Sequence, residues 1–260
     1  MKNLASRIPP EERAFVVPCA QLSLGAPARW LALGWRDYWR APGLSLSFGV
    51  AIMLVSIAIS AFAWFLGRFA LLATLLSGFV FIAPLIGVGL YCVCRELERG
   101  RTPTLRASFA LARRVVGQAG VFALMQLVIL MIWSRSGMIL SAFFPTTQTD
   151  FRLLVEFLAI GSLIGSVFAA ITFATAAFSL PMIADRDVDM VTACVSSIHA
   201  VLRNKSTMLL WGFLIAMLTL IAFATAFLGL IIVMPVLAYA SWHGYRETLD
   251  ASAWPELLKA

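Results

Sequence analysis

An all-α fold, a polytopic membrane helical bundle of about six transmembrane helices, follows from three observations. Of the 260 residues, 61% are hydrophobic and 13% charged, with a mean hydropathy of +0.91, against roughly 45–50% apolar and 25% charged in soluble domains. Apolar runs of about 20 residues, enough to cross the hydrocarbon as helix, recur along the chain. Lys and Arg gather at the ends of those runs. Residues 1–25 read as a cytoplasmic N-terminal tail, 26–250 as the transmembrane domain and 251–260 as a cytoplasmic C-terminal tail. The Pro-Pro-Glu-Glu at 9–12 interrupts the apolar core that a signal peptide needs, so the first span is expected to direct insertion.

The spans follow in order. Leu44–Leu66 is the first and Phe69–Cys94 the second, separated only by Gly67 and Arg68 as in a tight hairpin. The third runs from Gly117 to about Trp133, an aromatic suited to the interface, and Ser134–Asp150 is expected as a loop. Leu153–Ala184 is the fourth. Thr207–Tyr245 carries no charged residue and is too long for one crossing of a layer about 30 Å thick, so it divides around Phe227–Gly229 into a fifth and a sixth. All 20 Lys and Arg except Arg68, Arg135 and Arg152 then fall on one side, which places both termini in the cytoplasm. The net charge of +7 is a headgroup and insertion signal; basic residues hug span ends and form no nucleic-acid-binding module.

A unit repeats along the chain. Short amphipathic segments precede the first, third and fifth spans, with apolar stripes Leu31, Trp35, Tyr38; Leu105, Phe109, Ala112, Val116; and Val191, Val195, Ile198, Leu202. Each is expected as an interfacial helix in the headgroup plane leading into a transmembrane hairpin. Asp185, Asp187 and Asp189 suit the positive N-terminal end of the third such helix. The second and sixth spans end alike: Pro84 precedes Arg95 and Glu96 at the same offset as Pro235 precedes Arg246 and Glu247, with Tyr91 and Trp242 in matching places.

Few residues read as chemistry. Cys92 and Cys94 project about 200° apart on a helix and do not grip one ion together; Cys194 on a neighbouring helix is the thiol that could complete a pair. Otherwise all three read as small buried residues. His199 and His243 are the two histidines to weigh as haem or metal ligands, against the commoner interfacial histidine with a polar tip. Glu156 stands where it can pair with Arg152 or Arg135 near the outer interface, and Gln126 where it can bond between helices. Gly161 and Gly165, with Ala169, are small residues at four-residue spacing that let helices approach closely, within the bundle or between copies. Phosphate-binding loops, HExxH and nucleophile elbows are missing, so the reading leans against an enzyme, and no cofactor is assigned.

Three stretches, GWRDYWRAPG at Gly34–Gly43, PLIGVGLYCVCRELERGRTPTLRASF at Pro84–Phe109 and ASWHGYRETLD at Ala240–Asp250, resemble a bacterial family of uncharacterised integral membrane proteins. Members are sometimes labelled as cytochrome c oxidase subunit I. That subunit is a twelve-helix protein holding two haems and a copper with about six histidines; this chain has two and cannot be it. The resemblance implies at most association with a respiratory complex.

These observations lead to a non-catalytic inner-membrane accessory, assembly or scaffolding protein. Its expected partners are membrane lipids and another membrane protein or a second copy. The alternative is a small-solute or ion transporter with a midplane site near Pro84 and Pro235, where broken helices supply free backbone groups. A haem or metal-binding redox protein is the third reading.

Overall fold

The computed structural model describes residues 15–66, 86–143 and 151–257. Its elements are α1 (Ala26–Arg40), α2 (Pro42–Leu66), α3 (86–98), α4 (Leu105–Phe143), α5 (Phe151–Ala176), α6 (Ser179–Asp185), α7 (Met190–Arg203), α8 (Lys205–Ala224) and α9 (Leu230–Thr248). Four stretches are long and apolar enough to cross a membrane: Pro42–Phe62, Leu105–Leu140, Val155–Asp185 and Lys205–Ala224. They coincide with the first, third, fourth and fifth expected spans. Most of the second, including Pro84, lies outside the described residues, and α3 is its described end. The sixth corresponds to α9, which is not among the four.

The third and fourth spans differ from the sequence expectation, and the break in the last apolar run agrees with it. The segment before the third span is not a separate interfacial helix: α4 runs unbroken for 39 residues, through both that segment and the first part of the expected loop at Ser134–Asp150. No proline interrupts it, and Gly117, Gly120 and Gly137 cost only about 1 kcal/mol each in a helix. Its first turn is capped by Thr104, whose Oγ1 accepts from Ala107 N–H at 3.2 Å. The fourth span breaks between α5 and α6, where Thr175 Oγ1 donates back to the Ile171 carbonyl at 2.9 Å and Phe178 N–H is taken by Ser197 Oγ at 3.1 Å. The long apolar run divides at 225–229, around the expected place. Ala226 and Phe227 adopt φ of 52° and 69° there, and Thr225 Oγ1 accepts from Gly229 N–H at 2.8 Å.

The amphipathic segments bury one mixed face and leave large apolar residues exposed on another. On α1 the buried stripe is Trp30, Gly34 and Asp37, while Trp35 and Trp39 are 47% and 61% exposed. On α7 the buried residues include Ala193, Ser196, Ser197 and Ala200, and Val191 and Leu202 point out. On α4, Ser108 and Leu111 are buried while Leu105, Phe109 and Val116 are exposed. Buried polar groups such as Asp37, Ser108 and Ser196 share the inside with Trp30, Tyr38 and Leu111, while the large apolar side chains left outside are satisfied by acyl chains. The helix start of α7 is fixed by Asp189, which accepts from Thr192 N–H at 2.9 Å. Burial raises its pKa, but the Thr192 and backbone hydrogen bonds outweigh this and hold it below the ordinary value. Asp189→Ala is therefore expected to cost about 1 kcal/mol in thermal unfolding at neutral pH, with Asp189→Asn nearly silent. The charged cap's contribution exists above the unfolded aspartate range and disappears as pH falls through the lowered value.

Helix α9 is the hub on which α1 and α2 lie. A Cβ on Gly34 would come within 2.6 Å of the Val236 carbonyl oxygen, and one on Gly49 would overlap the Ile231 carbonyl. Pro235 sits inside α9. Its missing N–H removes the helical partner of the carbonyl four residues earlier, which is Ile231. Gly49 brings the α2 backbone onto this freed carbonyl, where a Cα–H can approach it.

The expected tails are strapped to this body over their described residues. Val17 N–H donates to Ser196 Oγ at 3.0 Å and Leu22 N–H to Asn204 Oδ1 at 2.8 Å. Asp250 N–H reaches the Pro18 carbonyl at 2.9 Å, and Leu257 N–H the Asp185 carbonyl at 3.1 Å.

Candidate functional site

The same inward polar stripes bring titratable groups together at the end of the bundle formed by α1, the end of α3, α6 and the end of α9. Asp37 is 1% exposed. It lies one helical stripe on from Trp30 and Gly34, so close packing of Gly34 on α9 carries it to His243, whose Nε2 is 2.7 Å from Asp37 Oδ2. Arg40 and Arg36 hold the other oxygen, Oδ1, at 3.3 and 3.8 Å. Burial raises the Asp37 pKa, but the His243 hydrogen bond and the charges of His243, Arg36 and Arg40 prevail, keeping the carboxyl below its ordinary value. Fully buried Cys94 completes the group: its Sγ, a His243 ring nitrogen and an Asp37 oxygen all lie within 4.8 Å of one another.

A second node forms on Asp185. Its Oδ2 accepts from Tyr245 Oη at 2.9 Å, Arg186 Nε at 3.0 Å and Arg246 NH1 at 3.3 Å. Arg246 also faces Glu98 at 3.6 Å, and Glu98 Oε1 accepts from Trp242 Nε1 at 3.0 Å. Arg95, 2% exposed, donates to the Ala184 carbonyl at 3.2 Å. The matching residues Arg95 and Arg246 thus both reach the end of α6. Tyr91 and Trp242, at equal offsets in the two similar span ends, stack on each other with centroids 6.2 Å apart and planes at 26°. The acids differ: Glu247 takes Arg29 at 2.6 Å and Trp30 Nε1 at 2.8 Å, whereas Glu96 is partly buried and accepts Arg101 N–H at its backbone carbonyl, 2.9 Å.

The remaining residues singled out in the sequence are dispersed. Cys92 faces Ser108, and Cys194 lies 3.5 Å from Met190 Sδ. The histidines have separate partners, His199 Nδ1 lying 3.7 Å from Cys19 Sγ. Glu156 pairs with Arg152 at 3.0 Å on an exposed helix face; Arg135 is not the partner. Gly161 and Gly165 face α4, where added Cβ atoms would lie 3.4 Å from Leu140 Cδ2 and 3.7 Å from Trp133 Nε1. Among the described residues, Gln126 Oε1 is buried without a hydrogen bond. Pro235 shapes the α2–α9 contact, where Gly49 packs on the Ile231 carbonyl. Sequence reasoning missed Asp37 and Tyr245, and it gave Asp185 to the start of α7, whereas Asp185 ends α6 and Asp189 caps α7. The available signal for Asp37 was its position at i+7 from Trp30 and i+3 from Gly34, a stripe that excludes the exposed tryptophans.

Residues 71–185 match the model of a family described as "Predicted integral membrane protein (DUF2189)". No curated protein and no solved structure matches the chain. The matched segment contains Pro84–Phe109, one of the three stretches behind the resemblance; Gly34–Gly43 and Ala240–Asp250 lie outside it. The resemblance to an uncharacterised membrane family is borne out at that level: this is an integral membrane protein with several apolar helices, and its residues 71–185 carry the match to DUF2189.

Proposed function

We propose that the protein is a non-catalytic accessory, assembly or scaffolding component of the bacterial inner membrane, with both termini in the cytoplasm. The observation that carries this reading is the Val155–Asp185 stretch, of which none of the most apolar window is buried within the chain. Leu163 and Val167 are 67% and 53% exposed, and Ser162, Ser166 and Ala170 add an open row of small residues beside them. Such a row suits close approach of another helix. Photo-crosslinkers at Leu163 and Val167 in native membranes are expected to trap one recurrent membrane protein or a second copy. Crosslinks to lipid alone, with a monomeric protein after mild-detergent extraction, would sink the reading.

A second reading rests on a cavity of about 390 Å³ beside Pro235, lined by Ser56, Gly87, Tyr91, Thr219, Met234 and Ser241. Residues of α3 and α9 line it, and its mostly apolar wall favours a small, weakly polar solute over an ion. Solute uptake into reconstituted vesicles that is lost in Thr219→Phe would favour transport over scaffolding.

A further inference from the structure

We propose that Asp37, Cys94 and His243 form a site for a divalent transition metal ion, Zn2+ being the best match, which clamps α1, α3 and α9 together. The inference goes beyond the scaffolding reading and does not depend on it. One carboxylate, one thiol and one imidazole, drawn from three separate helices, bring their donor atoms within 4.8 Å of one another, the one such convergence found among the described residues. Zinc bonds of about 2.0–2.3 Å in a tetrahedron place ligand atoms roughly 3.3–3.8 Å apart, so the 2.7 Å His243–Asp37 pair opens, and the group within 4.8 Å rearranges, by side-chain shifts on the order of 1 Å to hold an ion.

The donor set decides the class of metal. Ca2+ and Mg2+ require oxygen-rich shells, whereas mixed sulfur, nitrogen and oxygen donors suit Zn2+. Three protein ligands leave the fourth position for water. Charge also balances: an ionised Asp37 and a Cys94 thiolate together neutralise a divalent ion, which matters where Cys94 is 0% and Asp37 1% exposed. The thiol proton leaves to solvent as the ion binds, and His243 binds through Nε2 with its ring proton on Nδ1. Arg40 and Arg36, on Asp37 Oδ1, fix the carboxylate so that Oδ2 points toward His243, as outer partners of metal ligands do. Without metal the same three groups close on themselves through the His243–Asp37 hydrogen bond.

The test uses the full chain, purified in detergent through a tag without histidine, stripped of metal and titrated with Co2+. One equivalent is expected to give a near-ultraviolet thiolate-to-cobalt band and tetrahedral visible absorption, both displaced by Zn2+. Cys94→Ser and His243→Gln should each lower the band at least tenfold. Cys92→Ser should leave it unchanged, since Cys92 faces Ser108. Because a ligand variant can fail to fold, a chain with Cys19, Cys92 and Cys194 all replaced by Ser provides the second measurement: it keeps only Cys94 and must retain the band. Absence of a thiolate band in the wild-type and triple-serine chains, or a band that survives Cys94→Ser, overturns the proposal.

Discussion

Gly49→Val is expected to be among the most damaging single changes outside the polar cluster, lowering stability by about 3 kcal/mol and the thermal midpoint by on the order of 5–10 °C. Overpacking normally costs about 1–3 kcal/mol, because side chains can rotate away. Here the added atoms meet the Ile231 backbone, and α2 as a whole must retreat from α9. Retreat also strips the freed Ile231 carbonyl of its close neighbour. Gly34→Val, against the Val236 carbonyl and the Ala240 backbone, should act in the same direction. Gly43→Ala is the control, because nothing lies within 4 Å of the added carbon. Thermal unfolding of the detergent-solubilised variants checks all three, and a Gly49→Val midpoint within 1–2 °C of wild type would refute the close α2–α9 contact.

Asp185→Ala should have a comparable effect by a different route. Its carboxylate is the common acceptor for Tyr245, Arg186 and Arg246. Truncation leaves a buried phenol without its acceptor and two guanidinium groups without the anion between them. Removing one partner of a buried charge pair typically costs about 3–5 kcal/mol. Arg246 is 42% exposed and keeps Glu98, so about 3 kcal/mol is expected. Asp185→Asn, which retains an acceptor for Tyr245, should recover part of it. Equal midpoints for Asp185→Ala and wild type would show that the node is dispensable.

Helix existence was legible in the sequence because lipid leaves so few choices. Long apolar runs at Leu44, Gly117, Leu153 and Thr207 all appear as helices, and the interruption near Phe227 appears as a left-handed turn. Boundaries were less legible. At the start of α4, amphipathic and wholly apolar patterns adjoin without a breaker, so a change in pattern looked like a change of helix. The site was half legible. Cys94 and His243 stood out by residue type. Asp37 escaped notice because it sits among arginines in a segment that reads as surface. What buries it is a tertiary fact, the contact of Gly34 with α9, to which local periodicity is blind.

The placement of α9 has a consequence for biosynthesis. The helix on which α1 and α2 rest leaves the ribosome after α1 to α8, and the strap that ties Pro18 to Asp250 closes later still. Until α9 emerges, Asp37 lacks His243 and has only Arg36 and Arg40 of its own helix to pair with. The contacts of α1 and α2 with α9 can form only after that helix has arrived. Membrane proteases that survey unfinished chains would meet a long-lived, half-matched intermediate. Abundance in the cell is thus governed by how quickly the C-terminal helix docks as well as by the final stability.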